Sequence, residues 1–95
     1  MIYKLTFLKS AKKEWDKLSV DAKKQFKNKL QERLLNPLVP KDSLIGMKDC
    51  YKIKLKSLGY RLVYKALQEQ IVVQVVAVGK RDKSLVYELD NQKAN

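Results

Sequence analysis

Ninety-five residues with 21 lysines and arginines against 10 aspartates and glutamates leave a net charge of +11. That excess points to nucleic acid or an acidic protein as the partner, and a hydrophobic content of 45% is enough for one small domain spanning residues 1–95. There is no histidine, and the single Cys50 can form neither an internal disulfide nor, alone, the usual zinc site.

The lone cysteine fits a reducing cytoplasm. The first eight residues are too short and too polar for a signal peptide, and no apolar run approaches the length of a membrane helix, so no membrane partner is expected. Residues 2–8 read as a strand, with Tyr3, Leu5 and Phe7 on one face. Ser10 offers an N-cap for a first helix, whose apolar stripe is Ala11, Trp15 and Leu18. Ser19 can cap a second helix, in which Ala22, Phe26, Leu30 and Leu34 recur every fourth residue. Lys23, Lys24, Lys27, Lys29 and Arg33 occupy the remaining positions and read as a solvated outer face, one that adds long-range attraction to a polyanion. Asn36-Pro37 ends this helix. The two helices should form a hairpin over one face of a sheet, followed by a loop from 37 to 49.

The stretch from Cys50 to Lys65 reads as two antiparallel strands. Lys52, Lys54 and Lys56 alternate with Tyr51, Ile53 and Leu55, and Arg61, Val63 and Lys65 alternate with Leu62 and Tyr64. Pairing Leu55 with Leu62 and Ile53 with Tyr64 keeps the apolar faces together, and it sets Lys56 opposite Arg61 and Lys52 opposite Lys65. A turn at Leu58-Gly59, or a loop from Ser57 to Tyr60, would give that register, whereas a three-residue loop would turn every side chain to the wrong face. Like charges opposed across strands are destabilising, and a polyanionic ligand is the simplest reason for them.

After a turn at Gln68-Glu69-Gln70, residues 71–78 are nearly all apolar and β-branched, as in a central strand buried on both faces. Gly79 to Lys83 should lie just past its end, as the rim of a site. Ser84 can cap a short last helix containing Tyr87, with a polar tail from Asp90 to Asn95. The fold class is α+β: an antiparallel sheet, an amino-terminal helical hairpin on one face and a short carboxy-terminal helix.

Glycine-rich phosphate loops, Ser/His/Asp sets, metal-ligand clusters and paired carboxylates are absent from the pattern, and no cofactor is expected. What remains is a basic face with tyrosines. RNA cleavage by a 2′-hydroxyl needs a base, an acid and cations for the charge that grows on phosphorus. Without histidine, a tyrosine whose phenolate is favoured by neighbouring cations would have to share the proton work, while arginine and lysine stabilise the transition state.

The run Gly46-Met47-Lys48-Asp49-Cys50-Tyr51-Lys52-Ile53-Lys54-Leu55, continued by Gly59-Tyr60-Arg61-Leu62-Val63-Tyr64, resembles the RelE toxins of bacterial toxin–antitoxin systems. So do Val78 to Ser84 with Val86-Tyr87, and Lys13 to Leu18. The resemblance implies the RelE/ParE fold. It also implies a metal-independent, ribosome-dependent endoribonuclease that cuts mRNA in the A site by 2′-hydroxyl attack on the adjacent phosphate and so inhibits translation. The family's functional positions match Lys52, Lys54, Arg61, Arg81 and Tyr87, with the two arginines on the scissile phosphate and the others sharing proton transfer and orientation. Lys48, Lys56, Lys65, Lys80 and Lys83 are the further cations expected to meet RNA or the ribosome. The implied partners are a RelB-like antitoxin, the ribosomal A site with its mRNA, and operator DNA only through the antitoxin complex. Ile45 stands where close relatives often carry a basic residue. Two alternatives stay open: a non-enzymatic ParE-like toxin on the same fold acting on DNA gyrase, and a basic RNA- or ribosome-binding protein.

Overall fold

The computed structural model describes residues 2–80. Strand β1 (Lys4–Phe7) leads into helices α1 (Lys9–Asp16) and α2 (Val20–Leu35). A single 3-10 turn at Pro40–Asp42 breaks the following loop, and strands β2 (Cys50–Leu55), β3 (Tyr60–Leu67) and β4 (Val72–Lys80) complete the described part. The sheet order is β1-β4-β3-β2. β3 runs antiparallel to both β2 and β4, whereas β1 pairs parallel with β4, so the sheet is mixed at that edge. The carboxy-terminal helix expected after Ser84 lies outside the described residues.

Both helices cover one face of the sheet. Ala11 and Trp15 from α1, Leu18 from the connection after it, and Ala22, Phe26 and Leu30 from α2 pack with Ile53, Leu55, Leu62, Tyr64, Val73, Val75 and Val78. Trp15 sits between Phe7 and Phe26, with ring centroids 5.3 and 6.1 Å away, tilted as aromatic quadrupoles prefer. The opposite face carries a smaller core of Cys50, Val63, Val76 and Ala77. A bulge in β4 makes this division possible: Val63 pairs with Ala77 and Tyr64 with Val75, leaving Val76 as an extra residue. Val75 and Val78 therefore both face the helices although they are three residues apart.

Several local expectations change. The first helix begins at Lys9, with Leu8 rather than Ser10 in the cap position. The Leu8 N–H is held by the Val75 carbonyl at 2.9 Å, and its own carbonyl accepts from the Lys12 N–H at 2.8 Å, so the helix starts where the strand lets go. Ser19 does cap α2, its hydroxyl accepting from the Ala22 N–H at 3.1 Å. The strand expected over 2–8 is only Lys4–Phe7, and Leu5 is exposed. β4 runs through Gly79 and Lys80, which were expected beyond its end.

Arg33 is not on the solvated face. It donates to the Tyr64 hydroxyl at 3.0 Å, to the Asp42 carboxylate at 2.5 Å and, more weakly, to the Lys52 carbonyl at 3.4 Å. The Tyr64 hydroxyl in turn donates to the Pro37 carbonyl at 2.7 Å. The end of α2, the loop after it and the middle of the sheet are thus tied at one point. Burial pushes the Tyr64 hydroxyl above its ordinary value near 10, against the pull of Arg33. Burial also works against the Arg33 charge, but its bonds to Tyr64 and Asp42 outweigh that, and its pKa is raised.

Because the folded state favours neutral Tyr64, this contribution is intact below about pH 10 and is lost as the pH rises beyond it. Tyr64→Phe should cost about 1–3 kcal/mol in chemical denaturation at neutral pH, by leaving the Pro37 carbonyl and an Arg33 N–H without this partner. The same variant should show a shallower fall in stability above pH 10. Wild-type stability at neutral pH would remove the network from the account.

Candidate functional site

β2 and β3 are joined by the four residues Lys56 to Gly59. The N–H groups of Leu58 and Gly59 both point at the Leu55 carbonyl, at 3.2 and 2.8 Å. Gly59 closes the loop at φ +71, a conformation that costs a glycine little. This loop sets a register two residues away from the expected one. Ile53 faces Leu62, Lys52 faces Val63, Lys54 faces Arg61 and Cys50 faces Lys65. The expected pairs of Lys56 with Arg61 and Lys52 with Lys65 are not formed. A shift of two preserves the faces, so the separation of apolar and cationic sides holds as expected.

Arg61 is also paired with Gly79 on β4. One row across three strands therefore reads Lys54, Arg61, Gly79. Opposed residues of antiparallel strands project to the same face, here the face turned away from the helices. Lys52 lies two residues from Lys54 on that face. Arg61 is only 8% exposed and is the one buried charged residue among the described residues, while Lys52 and Lys54 are half-buried. A guanidinium held at such depth acts through a lower dielectric than at the surface, and an anion that reaches it is bound correspondingly more strongly. Next to it, Gly79 adds no side chain to the row.

The other cations scatter. Lys56 is exposed in the hairpin loop and Lys80 at the end of β4. Lys65 lies on the same face as Arg61 but four residues along β3, and Lys48 joins it there from the preceding loop, beside a cleft at the far end of the sheet. Ile45 is fully exposed at a turn closed by the Met47 N–H on the Leu44 carbonyl, with Gly46 at φ +80. Arg81, Lys83 and Tyr87 lie outside the described residues. The structure thus brings together Lys52, Lys54 and Arg61 and sets Lys48 and Lys65 apart as a second group. Among the described residues, no group of three or more His, Cys, Asp or Glu side chains could hold a metal ion, and no helix is long and apolar enough to cross a membrane.

Sequence reasoning missed the support behind the row. The ring of Tyr51 stacks on Tyr64 at 5.6 Å, and Arg33 reaches the Lys52 carbonyl from the helix side. The signal was present in part: Arg33 falls three residues after Leu30, in line with the buried stripe of α2.

Residues 5–85 match the family model described as ParE toxin of the type II toxin–antitoxin system parDE. The mRNA interferase toxin RelE of Escherichia coli K12 is 52% identical over 87 residues, covering 92% of both chains. A solved mutant of the E. coli toxin RelE in the free state superposes with a TM-score of 0.90 at 47% identity, covering 98% of both chains. An E. coli RelE mutant in complex with an antitoxin RelBc peptide gives a TM-score of 0.83 at 50% identity over 93% of both chains. The chain belongs to the RelE/ParE family of toxins from type II toxin–antitoxin systems and stands with its RelE members.

Proposed function

We propose that this protein is an mRNA interferase, a ribosome-dependent endoribonuclease that cuts mRNA in the A site and halts translation. The observation that carries the reading is the row of Lys54, Arg61 and Gly79, with Lys52 beside it. It places cations at a depth where they stabilise charge, next to a residue without a side chain. The identity with the E. coli mRNA interferase RelE supports the same reaction. Arg61, with Arg81, holds the scissile phosphate and the negative charge that grows on it as the 2′-hydroxyl attacks. Lys52, Lys54 and Tyr87 share the movement of protons to and from the attacking and leaving oxygens. The roles of base and acid are assigned to these three residues jointly and not divided among them. Neither cofactor nor metal enters the scheme.

The partners follow from the same reading. The ribosome supplies the mRNA, positioned in its A site. The complexes of E. coli RelE with RelB support a RelB-like antitoxin as inhibitor, and operator DNA is contacted only through that complex. The whole chain, 1–95, acts as one domain in the cytoplasm. A gyrase-directed ParE-like action would use the fold but would give the cation row no task.

Primer extension on ribosomes programmed with an empty A site tests the proposal, with the same mRNA free in solution as the comparison. A cut within the A-site codon, on ribosomes only, is expected. Arg61→Met should lower its rate by at least about 100-fold while leaving the melting temperature within a few degrees. Arg81→Ala with Tyr87→Ala should abolish it. No cut by the wild type, or an undiminished cut by Arg61→Met, would overturn the reading.

A further inference from the structure

The sheet face that carries Arg61 has a second feature at its other end. There the row across the strands reads Cys50, Lys65, Gln74. A cleft of about 460 Å³ opens beside it, lined among others by Met47, Lys48, Cys50, Lys65, Gln74 and Val76. Its size is within the range of small-molecule sites, about 300–1,000 Å³. Among the described residues its lining holds two cations, one amide and no carboxylate, and the remainder is apolar or glycine. Cys50 and Val76 are buried and Met47 packs against them, so the floor is a firm part of the smaller core.

The two lysines arrive from different elements. Lys65 stands on β3. Lys48 is carried by a loop fastened at three points: the Leu44 N–H to the Cys50 carbonyl at 3.0 Å, the Cys50 N–H to the Met47 carbonyl at 3.3 Å, and the Ala66 N–H to the Asp49 carbonyl at 2.8 Å. The last of these bonds ties the residue next to Lys48 to the residue next to Lys65. Asp49 takes φ +62 to make this connection.

Arg61 and Lys65 share a face and are four residues apart, hence about 13 Å at the rise of a strand. Nucleic acid stacked at about 3.4 Å per phosphate covers that distance in about four nucleotides, and an unstacked strand covers it in fewer. The cation row and the cleft are therefore spaced so that one RNA strand can occupy both.

We propose that this cleft seats one nucleotide of the cleaved RNA, within about four nucleotides of the cut. Lys48 and Lys65 hold its phosphate, the apolar floor of Met47 and Val76 meets its base, and the Gln74 amide offers a donor and an acceptor to the base edge. The inference rests on the interferase reading and adds a subsite to it. Its position on the same face as Arg61 favours the RNA strand over an acidic peptide as occupant.

The test uses programmed ribosomes whose mRNAs each carry one neutral methylphosphonate linkage, placed in turn at every position within five nucleotides of the cut. For the wild type, one position besides the scissile phosphate should raise the ribosome concentration needed for half-maximal cleavage by about tenfold. The variant Lys48→Ala with Lys65→Ala should show the same tenfold rise on unmodified mRNA, overcome at high concentration, and should be indifferent to the methylphosphonate at that one position. If the variant remains sensitive there, if no such position exists, or if the variant loses only affinity for an acidic antitoxin peptide, the subsite is overturned. A wild type that cuts none of these mRNAs overturns the interferase reading with it.

Discussion

The parity of the β2–β3 hairpin decides what this molecule can do. Side chains alternate between faces, so a loop of even length puts Ile53, Leu55, Leu62 and Tyr64 under the helices, and it sends Lys52, Lys54 and Arg61 to the other side. The four residues from Lys56 to Gly59 enforce that choice, closed by a glycine in the left-handed region. The consequence is that Lys54 stands opposite Arg61, a like-charged pairing that is destabilising taken by itself. A core that includes fully buried Tyr64, Phe26 and Leu62 can carry such a cost.

The cations are also held in place from behind. Tyr64 lies under β2, stacked on Tyr51, and its hydroxyl joins Arg33 to the Pro37 carbonyl. Arg33 is held by Asp42 and reaches the Lys52 carbonyl. The strand bearing two of the lysines is therefore fixed by contacts on its opposite face, and a site built on strands is more precise than one built on loops. The same face ends in a cleft where Lys48 and Lys65 converge. The whole face thus reads as a track for a polyanion, with its deepest charge at one end.

Much of this was legible from residue order. The helical stripes, the Ser19 cap, the stop at Asn36-Pro37 and the central position of β4 all follow from periodicity and local chemistry, and the structure bears them out. The register was harder. Two loops of equal parity bury the same residues, and only the hydrogen bonds to the Leu55 carbonyl distinguish them. The bulge at Val76 was invisible because a run of apolar residues looks the same on either face. Arg33 was misread because a long cationic side chain on a helix of lysines resembles its neighbours, and its partners Asp42 and Tyr64 are distant in sequence. The separation of Lys48 and Lys65 from Arg61 required the fold, since all three belong to one basic segment of the chain.

The central claim is that a phosphate fits against the row of Lys54 and Arg61, beside Gly79. Single-turnover cleavage by Gly79→Val on programmed ribosomes tests this most directly. Valine suits an interior strand, so folding and melting temperature should be close to wild type. Its side chain would project from the row beside Arg61, and cleavage should be lost while binding to the ribosome persists. A folded Gly79→Val protein that cuts mRNA at the wild-type rate would contradict the account.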